Sequence, residues 1–114
     1  MDFNIILKAD ESVVVIRVPR RLTSDTSGEL KNILKNQTEN NHYLFVIDLK
    51  ETDYIDSAGL GAIVSKISVS RSNNGDVRLA SPKESVMNLL ELTHVKQIIK
   101  IFDSVDEAVS SFGE

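Results

Sequence analysis

The chain has 114 residues, 41% of them hydrophobic, with a formal net charge of -4 and no cysteine. Its length fits one domain, since single cores of about 100 to 150 residues are the commonest size, and the missing cysteines exclude disulfides, zinc-thiolate sites and thiol nucleophiles. The acidic balance argues against direct nucleic-acid binding, which draws on clustered basic surface, and Arg20-Arg21 is the only basic doublet.

At the N-terminus, Met1-Asp2-Phe3-Asn4 lacks the basic n-region of a signal peptide, and no later apolar run approaches the ~20 residues of a membrane-spanning helix. The expectation is a cytoplasmic protein with no membrane insertion. Phe3, Ile5 and Leu7 alternate with Asn4 and Lys8, the period-two pattern of a strand with one wet face or of an edge strand. Asp10-Glu11 reads as a turn. Val13 to Val18 is nearly all β-branched, which predicts a strand covered on both sides, paired with the first as a hairpin. Pro19 stops it, having no N–H for the ladder, and the polar run Thr23 to Ser27 enters a helix with Thr26 and Glu29 as a capping box. Leu30, Ile33 and Leu34 recur at helical spacing opposite Lys31 and Lys35, so this helix covers one face of a sheet. Asn36 to His42 ends it. Tyr43 to Leu49 is the next buried strand, and Asp48 near its end is expected to point into the loops, because an unpaired buried carboxylate is costly.

Lys50 to Tyr54 leads to Asp56-Ser57-Ala58-Gly59-Leu60-Gly61, which lies between that strand and the helix-patterned Leu60, Ile63, Val64 and Ile67. The corner is therefore a helix N-terminus. Ser57 is placed where its hydroxyl can cap the helix, and two glycines leave backbone uncovered for the close approach of a partner. With the apolar stripe on the core, Gly61, Ser65, Lys66 and Val69 fall on the outer side. The helix runs to about Ser72, where Asn73-Asn74-Gly75 supplies residues that tolerate left-handed termination. Val77 to Ala80 is a short strand. Ser81-Pro82-Lys83-Glu84 combines an N-cap serine, a proline at the first helical position and a reciprocal glutamate, ahead of a helix with Val86, Leu89 and Leu90 as its stripe. Ile98, Ile99, Ile101 and Phe102 form a brief strand, and Ser104 with Glu107 repeats the capping box before a last helix carrying Val105, Ala108, Val109 and Phe112.

The order predicts one α/β domain over residues 1–114, with an N-terminal β-hairpin, a mixed but mostly parallel sheet of about four to five strands, and about four α-helices. No cofactor or metal is expected: His42 sits in a polar connection and His94 at a helix end, without ligand spacing. Nor is an enzyme expected. Asp56-Ser57-Ala58-Gly59 lacks the glycine that precedes the serine of a nucleophile elbow, and neither histidine has an orienting acid.

Tyr54-Ile55-Asp56-Ser57-Ala58-Gly59-Leu60-Gly61 after a hydrophobic strand, the Leu79-Ala80-Ser81-Pro82 step and the Leu92-Thr93-His94 helix ending together resemble the STAS domain of bacterial anti-sigma factor antagonists, over nearly the whole chain. The resemblance implies a STAS-like fold and that Ser57 is phosphorylated by an anti-sigma factor that is also a serine kinase. It implies further that the unphosphorylated chain binds this kinase and frees a sigma factor, and that a serine phosphatase resets the system. Asp56 is then a support of the phosphorylation site. The implied partner surface comprises Asp56, Ser57, Ala58, Gly59, Leu60 and Gly61, together with the loop after the second strand. Where members commonly carry Gly-x-hydrophobic-Asp, that loop reads Arg20-Arg21-Leu22-Thr23, with arginine for the glycine and threonine for the aspartate. STAS-like folds also serve as binding or scaffold modules with no phosphate cycle, stressosome-like or within transport complexes, and this is the alternative reading.

Overall fold

Val13, Val14, Val15 and Ile16 are all buried, because the strand that carries them has neighbours on both edges and helices on both faces. In the computed structural model, which describes residues 3–113, β1 (Asn4–Lys8) pairs antiparallel with β2 (Val13–Arg17) as the expected hairpin. After β2 come a two-residue strand β3 (Arg21–Leu22), helix α1 (Ser27–Glu39), β4 (Leu44–Asp48), a second two-residue strand β5 (Tyr54–Ile55), and helices α2 (Ser57–Val64) and α3 (Ile67–Ser72). β6 (Asp76–Ala80), α4 (Glu84–Leu92), β7 (Ile101–Phe102) and α5 (Val105–Ser110) follow, with short 3-10 turns at Val95–Gln97 and Ser111–Gly113. Five strands form one sheet in the order β1-β2-β4-β6-β7, parallel throughout except for the hairpin, while β3 and β5 pair in parallel as a separate ribbon.

The strands alternate their side chains between two apolar clusters, as the pleat requires. Val14, Ile16, Phe45, Ile47, Val77 and Leu79 join Leu30 and Leu34 of α1, Ile63 of α2 and Leu90 of α4. Val13, Val15, Val46 and Ala80 meet Ala108 of α5 on the other side. Four helices thus cover one face and one short helix covers the other. Each fully buried Leu, Ile or Phe contributes roughly 1.5–3 kcal/mol, so the larger cluster dominates the stability of the fold. No helix among the described residues is long and apolar enough to cross a membrane.

Several local expectations give way to competing hydrogen bonds, some within the same turn and some across the fold. The single helix expected from the corner to Ser72 is two, because the Ser65 hydroxyl and N–H both turn back onto the Ala62 carbonyl, at 2.7 and 3.2 Å, and tighten the last turn of α2. Asn74, with φ 65°, takes the left-handed position expected in Asn73-Asn74-Gly75. Gly75 is needed for close packing instead, since a Cβ there would collide with the Tyr43 carbonyl. Thr26 forms no capping box, since its hydroxyl accepts the Thr23 N–H at 2.9 Å and donates to the Arg21 carbonyl at 2.9 Å. Ser81 is not an N-cap either. Its backbone, at φ 57°, is tied to the end of β7 by an N–H bond to the Phe102 carbonyl and a hydroxyl bond to that of Asp103, so α4 begins only at Glu84. Ser104 does cap as expected, accepting the Glu107 N–H at 3.1 Å. Ile98 is 52% exposed and lies outside β7, which is confined to Ile101–Phe102.

Asp48 is a correction of a different kind. It is buried rather than turned into the loops, and it is paired: Arg17, its register partner on β2, donates from Nε at 3.2 Å to one carboxylate oxygen and the Lys50 N–H at 3.0 Å to the other. The cost of an unpaired buried carboxylate is avoided by a cross-strand cation that local spacing does not reveal.

The hydroxyl of Ser70 is buried in α3 and finds no hydrogen-bond partner among the described residues. Ser70→Ala removes that desolvated group and is expected to stabilise the domain by about 1 kcal/mol. Chemical denaturation checks this, and a lowered midpoint would mean that the hydroxyl is paired in solution.

Candidate functional site

The corner is built by the short β3–β5 ribbon, which brings the chain after β2 alongside the chain before α2. Arg21 lies opposite Tyr54 and Leu22 opposite Ile55, and the Asp56 N–H continues the pairing onto the Leu22 carbonyl at 3.1 Å. At that point β5 becomes α2. Asp56 is extended, with φ -99° and ψ -175°, and its carboxylate accepts the Gly59 N–H at 2.9 Å, so Asp56 and not Ser57 is the N-cap. Ser57 is instead the first helical residue, with an exposed side chain.

The second oxygen of Asp56 accepts the Ser24 N–H at 3.0 Å. One carboxylate therefore ties the start of α2 to the loop that enters α1, thirty-two residues earlier. The Gly59 N–H, helped by those of Ser24 and Ala58, holds the Asp56 carboxyl below the ordinary aspartate range against the opposing effect of partial burial. The tie is present above that range and is lost as pH falls through the lowered native value. Asp56→Ala is expected to speed amide exchange at both Ser24 and Gly59, roughly tenfold for a lost cap, while β4 amides keep their protection. Hydrogen-exchange mass spectrometry reads this directly, and unchanged exchange at Ser24 would reduce Asp56 to an ordinary helix cap.

The two glycines divide their work. Gly59 is buried against the ribbon, where a Cβ would collide with the Leu22 carbonyl and sit 2.9 Å from Ile55 Cγ2. Its smallness serves internal packing, and it offers no surface to a partner. Gly61 is exposed, with nothing near the position a Cβ would take. Ala58 and Leu60 are half-buried, and Leu60 packs against the main core.

Arg20 and Thr23 flank the corner differently. Arg20 is exposed and ion-pairs with Asp53, its Nη2 lying 2.9 Å from Oδ2. Thr23 is nearly buried and its hydroxyl accepts the Asp25 N–H at 3.4 Å, while its carbonyl receives the N–H groups of Thr26 and Ser27. It shapes the loop and shows little side chain to solvent. Asp53, Tyr54, Lys83 and Ser24 were not expected as site residues, although Tyr54 opens the corner motif and Lys83 belongs to the Ser81-Pro82-Lys83-Glu84 step, yet they surround the site. Asp53 binds Lys83, thirty residues away, and no local spacing signals such a pair. Only the Arg20-Arg21 doublet hinted at a charged surface here.

His42 is hydrogen-bonded through Nδ1 to Gln37 Oε1 at 2.6 Å, and His94 is exposed in a left-handed turn. Among the described residues no group of three or more His, Asp or Glu side chains is placed to hold a metal ion. A hollow of about 500 Å3 lies along β7, lined by Arg71, Lys96 and Ile98 among others, and no residue of the Ser57 corner contributes to it.

The STAS domain family model matches residues 4–108. A candidate anti-sigma factor antagonist of Thermotoga maritima is 31% identical over 104 residues, covering 90% of this chain and 91% of that protein. The anti-sigma-B factor antagonist of Bacillus subtilis is 26% identical over 101 residues, covering 89% and 92%. A crystal structure of a candidate anti-sigma factor antagonist from Thermotoga maritima superposes with a TM-score of 0.88 at 26% identity, over 98% of this chain and 95% of the other. The hairpin, the mostly parallel sheet, the helix start after β5 and these likenesses agree on one assignment: the chain belongs to the STAS domain family.

Proposed function

We propose that this chain is an anti-sigma factor antagonist switched by phosphorylation of Ser57. The observation that carries the reading is the placement of Ser57, exposed at the first position of α2 beside a capping carboxylate that leaves the serine side chain accessible. The names of the relatives support the binding role. In the unphosphorylated state the corner docks a cytoplasmic anti-sigma factor that is also a serine kinase, and the bound sigma factor is released. The kinase then transfers the γ-phosphoryl group of its ATP: a bond forms from the Ser57 oxygen to phosphorus, the bond to the ADP leaving group breaks, and the hydroxyl proton goes to a base on the kinase.

A phosphate brings about -1.5 to -2 charges and three acceptor oxygens. At a helix N-terminus such an anion is favoured by roughly 0.3–2 kcal/mol, so the fold persists while the docking face becomes bulky and anionic. A serine phosphatase restores the hydroxyl. The chain is in this reading a substrate and not an enzyme, and Asp56 keeps the loop and the helix start in register during transfer.

Incubation with ATP, magnesium and the purified cognate anti-sigma factor is expected to add the mass of one phosphate to wild type and none to Ser57→Ala. Tight binding with no phosphate gained would assign the chain to the STAS modules that bind or scaffold without a phosphate cycle. A phosphate on Ser57→Ala would move the switch to another residue.

A further inference from the structure

Beside Ser57 the ribbon carries a charge pattern opposite to that of the whole chain. Asp53 is shared by two cations: Arg20 Nη2 lies 2.9 Å from one carboxylate oxygen and Lys83 Nζ binds the other. Both cationic side chains remain open to solvent, at 70% and 46% exposure. One residue further along, the Arg21 guanidinium sits 4.8 Å from the centroid of the Tyr54 ring, which is itself 49% exposed. Two cations therefore share the Asp53 carboxylate and a third, Arg21, lies on the Tyr54 ring beside them, on a chain whose net charge is -4. Asp56 stays ionised and adds a second carboxylate at the end of the ribbon, directed to the backbone N–H groups of Ser24 and Gly59, so Arg20, Arg21 and Lys83 still outnumber Asp53 and Asp56 by one charge.

The ribbon runs directly into the switch. Tyr54 and Ile55 form β5, Asp56 caps and Ser57 begins α2. At roughly 3.3 Å per strand residue, Tyr54 and Ser57 are about 10 Å apart, so one interface of about 800 Å2 per partner spans both.

We propose that the β3–β5 ribbon is the electrostatic half of the docking surface, and that it receives a carboxylate-bearing, acidic face of the anti-sigma factor. The inference rests on the switch reading above and names the chemistry of its partner. Exposed tyrosine and arginine in a preformed stack are the residue types that dominate interface energetics, and they lose little conformational freedom on docking. Arg20 and Lys83 together hold more donors than Asp53 can accept, and a guanidinium has geometry for a second carboxylate. An acidic partner also explains why phosphate works as an off-signal: nearly two negative charges on Ser57 oppose the same surface that the ribbon attracts.

The test uses the full chain and the purified anti-sigma factor that phosphorylates Ser57. Lys83→Glu and Arg20→Glu are each expected to weaken binding about tenfold or more and to flatten its dependence on salt. Tyr54→Ala is expected to weaken it about thirtyfold. Lys83→Gln, which places no carboxylate beside Asp53, should give a smaller loss in the same direction, and unchanged unfolding midpoints show that each variant is folded. Unchanged or tighter binding by the charge-reversed variants, with Ser57→Asp still excluded, would overturn the acidic-partner inference and leave the switch standing. Full binding by Ser57→Asp would instead remove the switch on which the inference rests.

Discussion

Ser57→Asp is expected to weaken binding of the anti-sigma factor by more than a hundredfold, while Ser57→Ala binds as wild type. The site of the change is an exposed position on a face otherwise made of Ala58, Leu60 and Gly61. A small neutral hydroxyl becomes a carboxylate that a docked partner must desolvate or meet with repulsion. A penalty of only ~3 kcal/mol weakens affinity more than a hundredfold. The same substitution is benign for the fold, because a carboxylate in the first turn favours the helix dipole by about 0.3–1 kcal/mol. The expected pattern is therefore lost binding with an unfolding midpoint at or slightly above wild type. Isothermal titration calorimetry and thermal denaturation of one preparation measure both. Lost binding with a lowered midpoint would indicate damage to α2, and full binding would end the switch reading.

Asp76→Ala is expected to have the largest effect on stability, a loss of about 3–5 kcal/mol, the range for breaking a buried ion pair from one side. Asp76 opens β6 and is only 8% exposed. Its Oδ1 accepts from Arg71 Nε at 2.9 Å and from the Val77 N–H at 2.9 Å, and its Oδ2 accepts from Arg78 Nε at 3.2 Å. The two arginines reach onward, Arg71 to the Ile98 carbonyl at 2.6 Å and Arg78 to the Ser111 hydroxyl at 2.6 Å and over the Phe112 ring. Removing the carboxylate strands Arg78, which is mostly buried, and loosens both the approach to β7 and the C-terminal turn. Since whole domains are stable by only about 5–15 kcal/mol, the variant should be marginal at 37 °C.

The acid response of this site has a definite sign. Burial pushes the Asp76 carboxyl up, but Arg71, Arg78 and the Val77 N–H outweigh it and hold the group below the ordinary aspartate range. A lowered native value means that the unfolded chain binds the proton more readily, so the contribution is complete above the ordinary range near pH 4 and disappears as pH falls through the native value. Wild type should lose stability over that interval faster than Asp76→Ala. Parallel curves would show that the arginines do not depend on the charge.

The fold was legible wherever a residue's burial follows from its own neighbours in sequence. The β-branched run Val13 to Val18 and the Leu30-Ile33-Leu34 stripe each report a local geometry and lie where their patterns placed them, whereas the first strand is the edge strand that its pattern allowed, with Ile5 and Leu7 exposed like their neighbours rather than alternating in burial. Side-chain capping was less legible. Three capping patterns of similar quality were present, and only Ser104 caps. Thr26 and Ser81 had other partners: the hydroxyl of Thr26 bonds across its own loop, and Ser81 is pinned to the end of β7. A capping bond is worth about 1 kcal/mol, so one competing hydrogen bond, within the loop for Thr26 and across the sheet for Ser81, is enough to redirect it.

By itself the sequence determined the α/β order, the hairpin, the position of a helix start at Asp56-Ser57 and, through the resemblance of that corner, the family. These rest on periodicity and composition within windows of about ten residues, which local sterics and burial translate directly into strands and helices. The tertiary structure alone decided that Asp56 caps and bridges while Ser57 is left exposed, that Gly59 packs inward, that Asp48 has Arg17 for a partner, and that Asp53 joins Arg20 to Lys83. Apart from the Asp56–Gly59 cap itself, these are pairings across long sequence separations. Their energies depend on which backbone and charged groups the sheet brings within about 3 Å, and that distance is set by the register of β2, β4 and the β3–β5 ribbon rather than by any neighbour along the chain.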